Sequence, residues 1–325
     1  MQVSHPRLLR AGTASSVSAI LLVAFIASGF APQARGSTLS VTYVSERLSH
    51  PNRTIVTSAT GTWLATFTDG ARSVALSGPS RTFAEPSTTA ATVTTTTWLR
   101  LLPTPFGGTV SESWLTAALA DTSIDVLGAA MQYVAGSPDR LNATGLRIAG
   151  DANYGPLRAD GSRAAGSDFN DYLGLRWTYA DGTQDQAESN ELGSLDCSGF
   201  VRMTFGYRSG IPMSLKADSG GSLPRHSWDI ATSAPGVALI PNLGTTPASR
   251  SGLQPGDLVF FDATSTDGHA IDHVGIFLGL DSQGHDRFLS SRKTANGPTL
   301  GDLGGRSTLD GTGLYATSFR SARRI

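Results

Sequence analysis

An α+β fold is what this sequence predicts, and three observations carry the prediction. Residues 197–207 show a helical pattern, with Phe200, Val201 and Phe205 at core-facing spacing and Gly206 near its end. Strand patterns follow at 258–261, 273–279 and 287–290, separated by the Pro255-Gly256-Asp257 turn and the polar stretch 281–286. Far upstream, short alternating runs describe a small antiparallel β unit. A helix followed by an antiparallel sheet is the order of an α+β domain.

The first 36 residues are expected to lie outside the fold. Arg7 and Arg10 make a positive start, and the apolar run 19–31 has the length of a signal-peptide core. That run is short for a bilayer span, and small residues follow it through Gly36 and Ser37. A cleaved export signal is the first reading and an uncleaved N-terminal anchor the second; no later run is long enough to span a membrane. No cysteine stands near this point, which excludes lipid attachment there.

Residues 37–85 form the expected β unit. Strands are predicted at 54–57, 62–67 and 73–77, with Asp69-Gly70 as a hairpin turn. The Thr- and Ala-rich stretch 79–97 reads as an extended linker or an exposed strand. Residues 86–170 form a connecting region. Ser111 caps a helix with Trp114, Leu115, Ala118 and Leu119 on one face, and a second helix is expected over 124–134, stopped by Gly136-Ser137-Pro138. Weak periodicity over 139–170 predicts long loops. Residues 171–325 form the third region, where the sharpest signals lie.

Composition narrows the function. The 325 residues carry a formal net charge of −1 and are 39% hydrophobic, ordinary values for one large domain or two modest ones. With no basic stripe, nucleic acid is excluded as a partner; a monomer is expected. His269 and His273 flank Asp272 at ligand-like spacing, but the Gly268 turn and the strand that follows give no helix to align them, so no metal site is predicted. Gly304-Gly305 and Gly311-Thr312-Gly313 lack the strand-to-helix setting of a phosphate loop, and no cofactor is predicted.

Cys197 is the only cysteine, so an exported chain has no internal disulfide partner for it. Asp196 is a good N-cap, which places the thiol in the first turn of a helix, among unpaired N–H groups and the positive end of the macrodipole. A thiol so placed is expected to ionise more easily, and the thiolate is the nucleophile. The plainer reading is a small buried hydrophobe. Such chemistry needs a base, and among the histidines His273 stands out because it opens a strand of apolar and small residues. Its plainer reading is an edge histidine bonded to a carbonyl.

Taken together, Asp196-Cys197-Ser198-Gly199-Phe200-Val201, then 253–261 (LQPGDLVFF), then Asp272-His273-Val274-Gly275-Ile276-Phe277-Leu278-Gly279 resemble the NlpC-type cell-wall peptidases, a family of papain-like cysteine peptidases. The resemblance covers about residues 171–293. It implies a papain-like domain in which the helix carrying the nucleophile packs on an antiparallel sheet. It also implies Cys197 as nucleophile, His273 as base and then acid, and peptidoglycan stem peptides as substrate, cut between D-glutamate and a diamino acid.

The resemblance places the third catalytic residue on the strand after the base. Ser290 aligns best there, with Ser291 and Arg292 as the alternatives; strand alternation puts Ser290 and Arg292 on one face and Ser291 on the other. A hydroxyl can accept the imidazole N–H, but it stabilises imidazolium less than a carboxylate does. The Cys197 and Ser198 N–H groups are the expected oxyanion donors, with Asp196 and Ser198 beside the substrate. Trp177 and Tyr179 resemble the family's aromatic substrate-contact stretch, and Arg292 with Lys293 could hold a stem carboxylate. Two other functions use the same features: a wall-binding module that has lost the reaction, and an amidase or acyl transferase with the same Cys–His pair.

Overall fold

The computed structural model describes residues 43–217, 220–264, 267–268 and 270–325. The expected export segment and His269 lie outside them. Mixed helix and antiparallel sheet make up the structure.

The first sheet is a five-stranded antiparallel meander: β1 (Tyr43–Leu48), β2 (Arg53–Ser58), β3 (Trp63–Thr68), β4 (Ser73–Phe83) and β5 (Val93–Leu101). The hairpin at Asp69-Gly70 forms, closed by Ala71 N–H on the Thr68 carbonyl at 3.0 Å. The sheet runs on past residue 85 to Leu101, so the Thr-rich stretch is not a linker. Its polar residues pair across β4 and β5, where the Thr82 and Thr94 hydroxyls lie 2.8 Å apart. Behind the sheet, Phe67 meets Phe106 and Trp114 at 5.0 and 5.7 Å. Trp114 comes from α1 (Glu112–Ala120), which Ser111 caps as expected.

The second helix, α2 (Val126–Met131), is shorter than its apolar pattern suggested. Asp125 starts it by accepting the Gly128 N–H at 2.8 Å, and also holds Arg81 at 2.6 Å and the Leu99 N–H at 2.7 Å. A small hairpin, β6 (Arg140–Leu141) with β7 (Arg147–Ala149), interrupts the expected loops. Next come α3 (Phe169–Leu173), capped by an Asp168/Asp171 box, and a two-residue pair, β8 (Trp177–Thr178) with β9 (Gln184–Asp185).

The helix expected over 197–207 begins as α4 (Cys197–Val201) and widens into a π-helical turn, Arg202–Tyr207, with Arg208 N–H bonding the Met203 carbonyl at 2.9 Å. After α5 (Ser227–Ser233) the second sheet assembles. It comprises β10 (Val237–Ile240), β11 (Leu258–Phe261), β12 (His273–Leu280), β13 (Asp286–Arg292), β14 (Gly297–Thr299) and β15 (Phe319–Arg324), in the order β10-β15-β11-β12-β13-β14. The short helix α6 (Leu314–Ser318) precedes β15. Phe200 and Val201 of α4 share one buried core with Val274, Ile276 and Leu289 of β12 and β13.

The two sheets are joined by β15. Arg324, 1% exposed, forks onto Asp257 at 2.8 Å through both Nε and Nη2, and its Nη1 reaches Thr68 Oγ at 2.7 Å. The Ile325 carbonyl accepts the Arg72 and Ser73 N–H groups.

Candidate functional site

Asp196 begins the site. Extended backbone at this residue lets its Oδ1 accept the Gly199 N–H at 2.8 Å, the N-cap bond that starts α4 at Cys197. Gly199 is needed because a Cβ there would lie 2.2 Å from the Ser167 carbonyl oxygen. Oδ2 of Asp196 accepts the Gly166 N–H at 3.0 Å. Arg225 closes over the cap: Nη1 donates to Asp196 Oδ1 at 3.2 Å and to Ser198 Oγ at 2.7 Å, and Nη2 donates to Asp196 Oδ2 at 2.7 Å. A second buried pair lies alongside, with Arg202 Nε on both oxygens of Asp168 at 3.0 and 2.9 Å.

The sulfur of Cys197 is buried against the start of β12. It lies 3.9 Å from the Asp272 carbonyl oxygen and faces the Val274 N–H. Those two residues flank His273. The His273 ring is 8% exposed and packs against Phe261 and Tyr315, at 5.8 and 5.2 Å between centroids. Its Nε2 lies 3.0 Å from Ser290 Oγ. Sheet register makes this possible. With Ile276 opposite Leu289, Ser290 falls beside Gly275, whose missing Cβ would stand 3.2 Å from the Ser290 Cβ. Alternation along β13 holds as read: the Ser291 hydroxyl turns the other way, to the Leu195 carbonyl.

The expected ionisation of the thiol does not hold. Burial first, and the Asp196 charge second, push Cys197 up to about 12. The Val274 and Ser198 N–H groups and Arg225 pull the other way and are outweighed. His273 is pulled down to about 3, by burial and then by Arg292. Near neutral pH the thiol and the imidazole are therefore both uncharged.

Other expected contacts moved. Tyr179 is buried with its hydroxyl accepting from Arg202 Nη2 at 2.8 Å, and Trp177 packs edge-on against Phe169 at 5.1 Å. Neither lines the cavity beside His273; both build the layer beneath α4. Arg292 is 2% exposed. Its guanidinium serves Ser290 Oγ, the Gly305 carbonyl and Ser307 Oγ, and it stacks 4.4 Å from the Tyr315 ring. A stem carboxylate would find those donors engaged; Lys293 next to it is exposed.

The cavity beside His273 has a volume of about 440 Å³, and Tyr154, Trp228, Asp272, Lys293 and Tyr315 are among its lining residues. Cys197 is recessed from it. Tyr154, Tyr315, Trp228 and Arg225 carried no sequence signal, because each stands in a Gly- or Ser-rich stretch without periodicity. Asp171, Glu188 and Glu191 bring carboxylate oxygens within 4.8 Å of one another. Asp171 is raised to about 7 by burial and by its bond to Glu188, and it accepts the Asp168 and Glu188 N–H groups. It is occupied in capping α3.

Comparison with known proteins follows the same residues. Residues 176–321 match the model of the NlpC/P60 family. A probable endopeptidase p60 from Listeria innocua serovar 6a is 41% identical over 86 residues, 26% of this chain and 13% of that protein. The corresponding protein of Listeria seeligeri is 40% identical over 86 residues, 26% of this chain and 12% of that one. The match thus spans about an eighth of these relatives. A crystal structure described as similar to a lipoprotein of the NLP/P60 family, from Staphylococcus aureus, aligns with a TM-score of 0.30 and 17% identity, over 66% of this chain and 47% of that one.

Proposed function

With residues 176–321 an NlpC/P60 domain, we propose that this chain is an exported cysteine peptidase that hydrolyses peptide bonds in peptidoglycan stem peptides, between D-glutamate and a diamino acid. The observation that supports it best is the seating of the Cys197 sulfur against Asp272 and Val274, the residues on either side of His273, whose Nε2 lies 3.0 Å from Ser290 Oγ. On this reading residues 171–325 are a papain-like domain with α4 packed on the second sheet. Residues 1–36 direct export and are removed, and the first sheet positions the catalytic region at the wall. The chain works as a monomer. Among the described residues no helix is long and apolar enough to cross a membrane.

The mechanism starts from the uncharged pair. As the sulfur attacks the scissile carbonyl, His273 takes the thiol proton, so ionisation and attack proceed together. The Cys197 and Ser198 N–H groups at the helix start receive the developing oxyanion. His273, now imidazolium, gives its proton to the departing amine. Water then attacks the thioester, His273 removes one water proton, and the carboxylic acid and free thiol are released. Ser290 holds the ring in place throughout. Tyr154 and Trp228 border the substrate, and Lys293 offers the exposed cation for a stem carboxylate.

The deciding experiment incubates the processed, reduced protein with wall fragments and identifies new termini by mass spectrometry. Release of fragments ending in D-glutamate, abolished in a folded Cys197→Ala variant, is expected. No release from any wall preparation would end this reading. A second reading, a wall-binding module without hydrolysis, draws support from the raised thiol and lowered imidazole. It predicts retention on walls that is unchanged in Cys197→Ala. Transfer to an added amine, seen as a mass adduct in the product, would instead identify an acyl transferase.

A further inference from the structure

We propose that Arg292 is a positioning residue for His273, acting through Ser290: it takes up one lone pair of the Ser290 hydroxyl and sets a fixed cation behind the imidazole. The proposal rests on Cys197 and His273 being the reacting pair.

Geometry on both sides of Ser290 supports it. Oγ of Ser290 lies 3.0 Å from His273 Nε2 and 3.0 Å from Arg292 Nε. A hydroxyl has two acceptor sites and one proton. The guanidinium N–H can only donate, so one acceptor site is taken permanently. What remains for the imidazole is a single acceptor site or the hydroxyl proton, and neither carries negative charge. An imidazolium at this place would face a cation across one oxygen atom.

The arrangement is fixed from several directions. Arg292 also donates to the Gly305 carbonyl and to Ser307 Oγ, which prevents it from swinging into the cavity. Tyr315 carries the guanidinium on its face at 4.4 Å and meets the His273 ring at 5.2 Å, so one aromatic ring packs against both. Burial pulls Arg292 down only to about 10, which leaves it charged near neutrality.

Among the described residues the charged and titratable groups around His273 are few, with Tyr154 and Asp267 lining the same cavity. From α4 come Cys197, which is neutral, and Asp196, whose charge Arg225 matches. From β13 and its end come Arg292 and Lys293, both cations that disfavour the protonated ring. Tyr315 comes from α6 and Asp272 from the residue before; β11 presents the apolar Phe261. Asp272 spends its carboxylate on the Ala263 and Thr264 N–H groups. Arg292 is the fully buried cation among them that shares a bonded atom with the ring.

The test reads the ring and needs no substrate. The chain has six histidines; labelled with 15N-histidine, they are followed by NMR as pH falls, and His273→Gln identifies the signal. The wild-type His273 ring is expected to be neutral at pH 5. Arg292→Gln, which keeps an N–H donor without the charge, raises the midpoint by about one unit. Arg292→Lys, which restores the charge, returns it towards wild type.

An imidazolium in the wild type at pH 5, or an unchanged midpoint in a folded Arg292→Gln variant, overturns the proposal. A chain that cuts no wall fragment yet titrates as described loses the peptidase reading and keeps this role for Arg292.

Discussion

Arg225 grips Asp196 through both carboxylate oxygens, at 3.2 and 2.7 Å, and the same guanidinium reaches Ser198 at 2.7 Å. The residues on either side of the nucleophile are thus tied to one cation. Asp196 needs that cation, because its carboxylate is buried at the start of α4. Removing one partner of a buried pair leaves the other charge uncompensated and costs about 3–5 kcal/mol. Arg225→Met is expected to lose that much in urea unfolding. Asp196→Asn added to it should cost less than the two single changes summed. An additive double mutant would show that the pair is not coupled.

Cys197 gives a second prediction. With the thiol pushed up to about 12 by burial and by Asp196, alkylation of the folded protein should keep accelerating above pH 9. The urea-unfolded chain should level off near an ordinary thiol value of about 8.5. Rates followed by mass spectrometry separate the two. A plateau near pH 6 in the folded protein would mean a preformed thiolate–imidazolium pair.

Stability against acid follows from His273. Its folded value, about 3, lies below the ordinary value of 6.5. Between those two values the unfolded chain binds a proton that the folded one refuses, so stability is complete above about pH 6.5 and is lost as pH falls towards 3. The loss is on the order of 3–5 kcal/mol. Asp171 acts with the opposite sign: its raised value, about 7, means that stability falls as pH rises from about 4 to 7. His273→Gln should flatten the acid side of a Tm-against-pH curve, and Asp171→Asn the slope between pH 4 and 7.

The link between sheets can be weighed by two substitutions. Arg324→Met leaves Asp257 buried without its partner and is expected to cost about 3–5 kcal/mol. Thr68→Val removes a single hydrogen bond to the same guanidinium and should cost about 1–3 kcal/mol. Equal losses in denaturant titrations would mean that the Asp257 pair adds nothing.

Local signals were legible and long-range ones were not. The Asp196 cap, the Ser111 cap, the Asp69-Gly70 hairpin and the apolar strands 258–261 and 273–279 are all written in neighbouring residues. The Ser290 and Ser291 faces followed from alternation alone. By contrast, β15 reads Phe-Arg-Ser-Ala-Arg-Arg, which looks like a solvated basic segment. It lies inside the sheet only because Asp257 and the carbonyls of Ala231 and Ala234 stand ready for its guanidinium groups. Arg292 misled for the same reason: an arginine's partners, and hence its burial, are set by distant residues. The ionisation of Cys197 followed burial, which no neighbouring residue encodes, and burial overrode the helix start.

One consequence of the strand order concerns the sequence of events as the chain folds. β15 sits between β10 and β11 yet is the last strand made. Until residues 319–324 arrive, β11 can pair with β12 but its other side stays open, a bare rail of apolar backbone. Closing the sheet therefore waits for a contact across more than half a hundred residues, which slows folding and leaves a sticky interval. A chain cut after Ser318 should keep that interval permanently and scatter light at concentrations where the full chain stays clear.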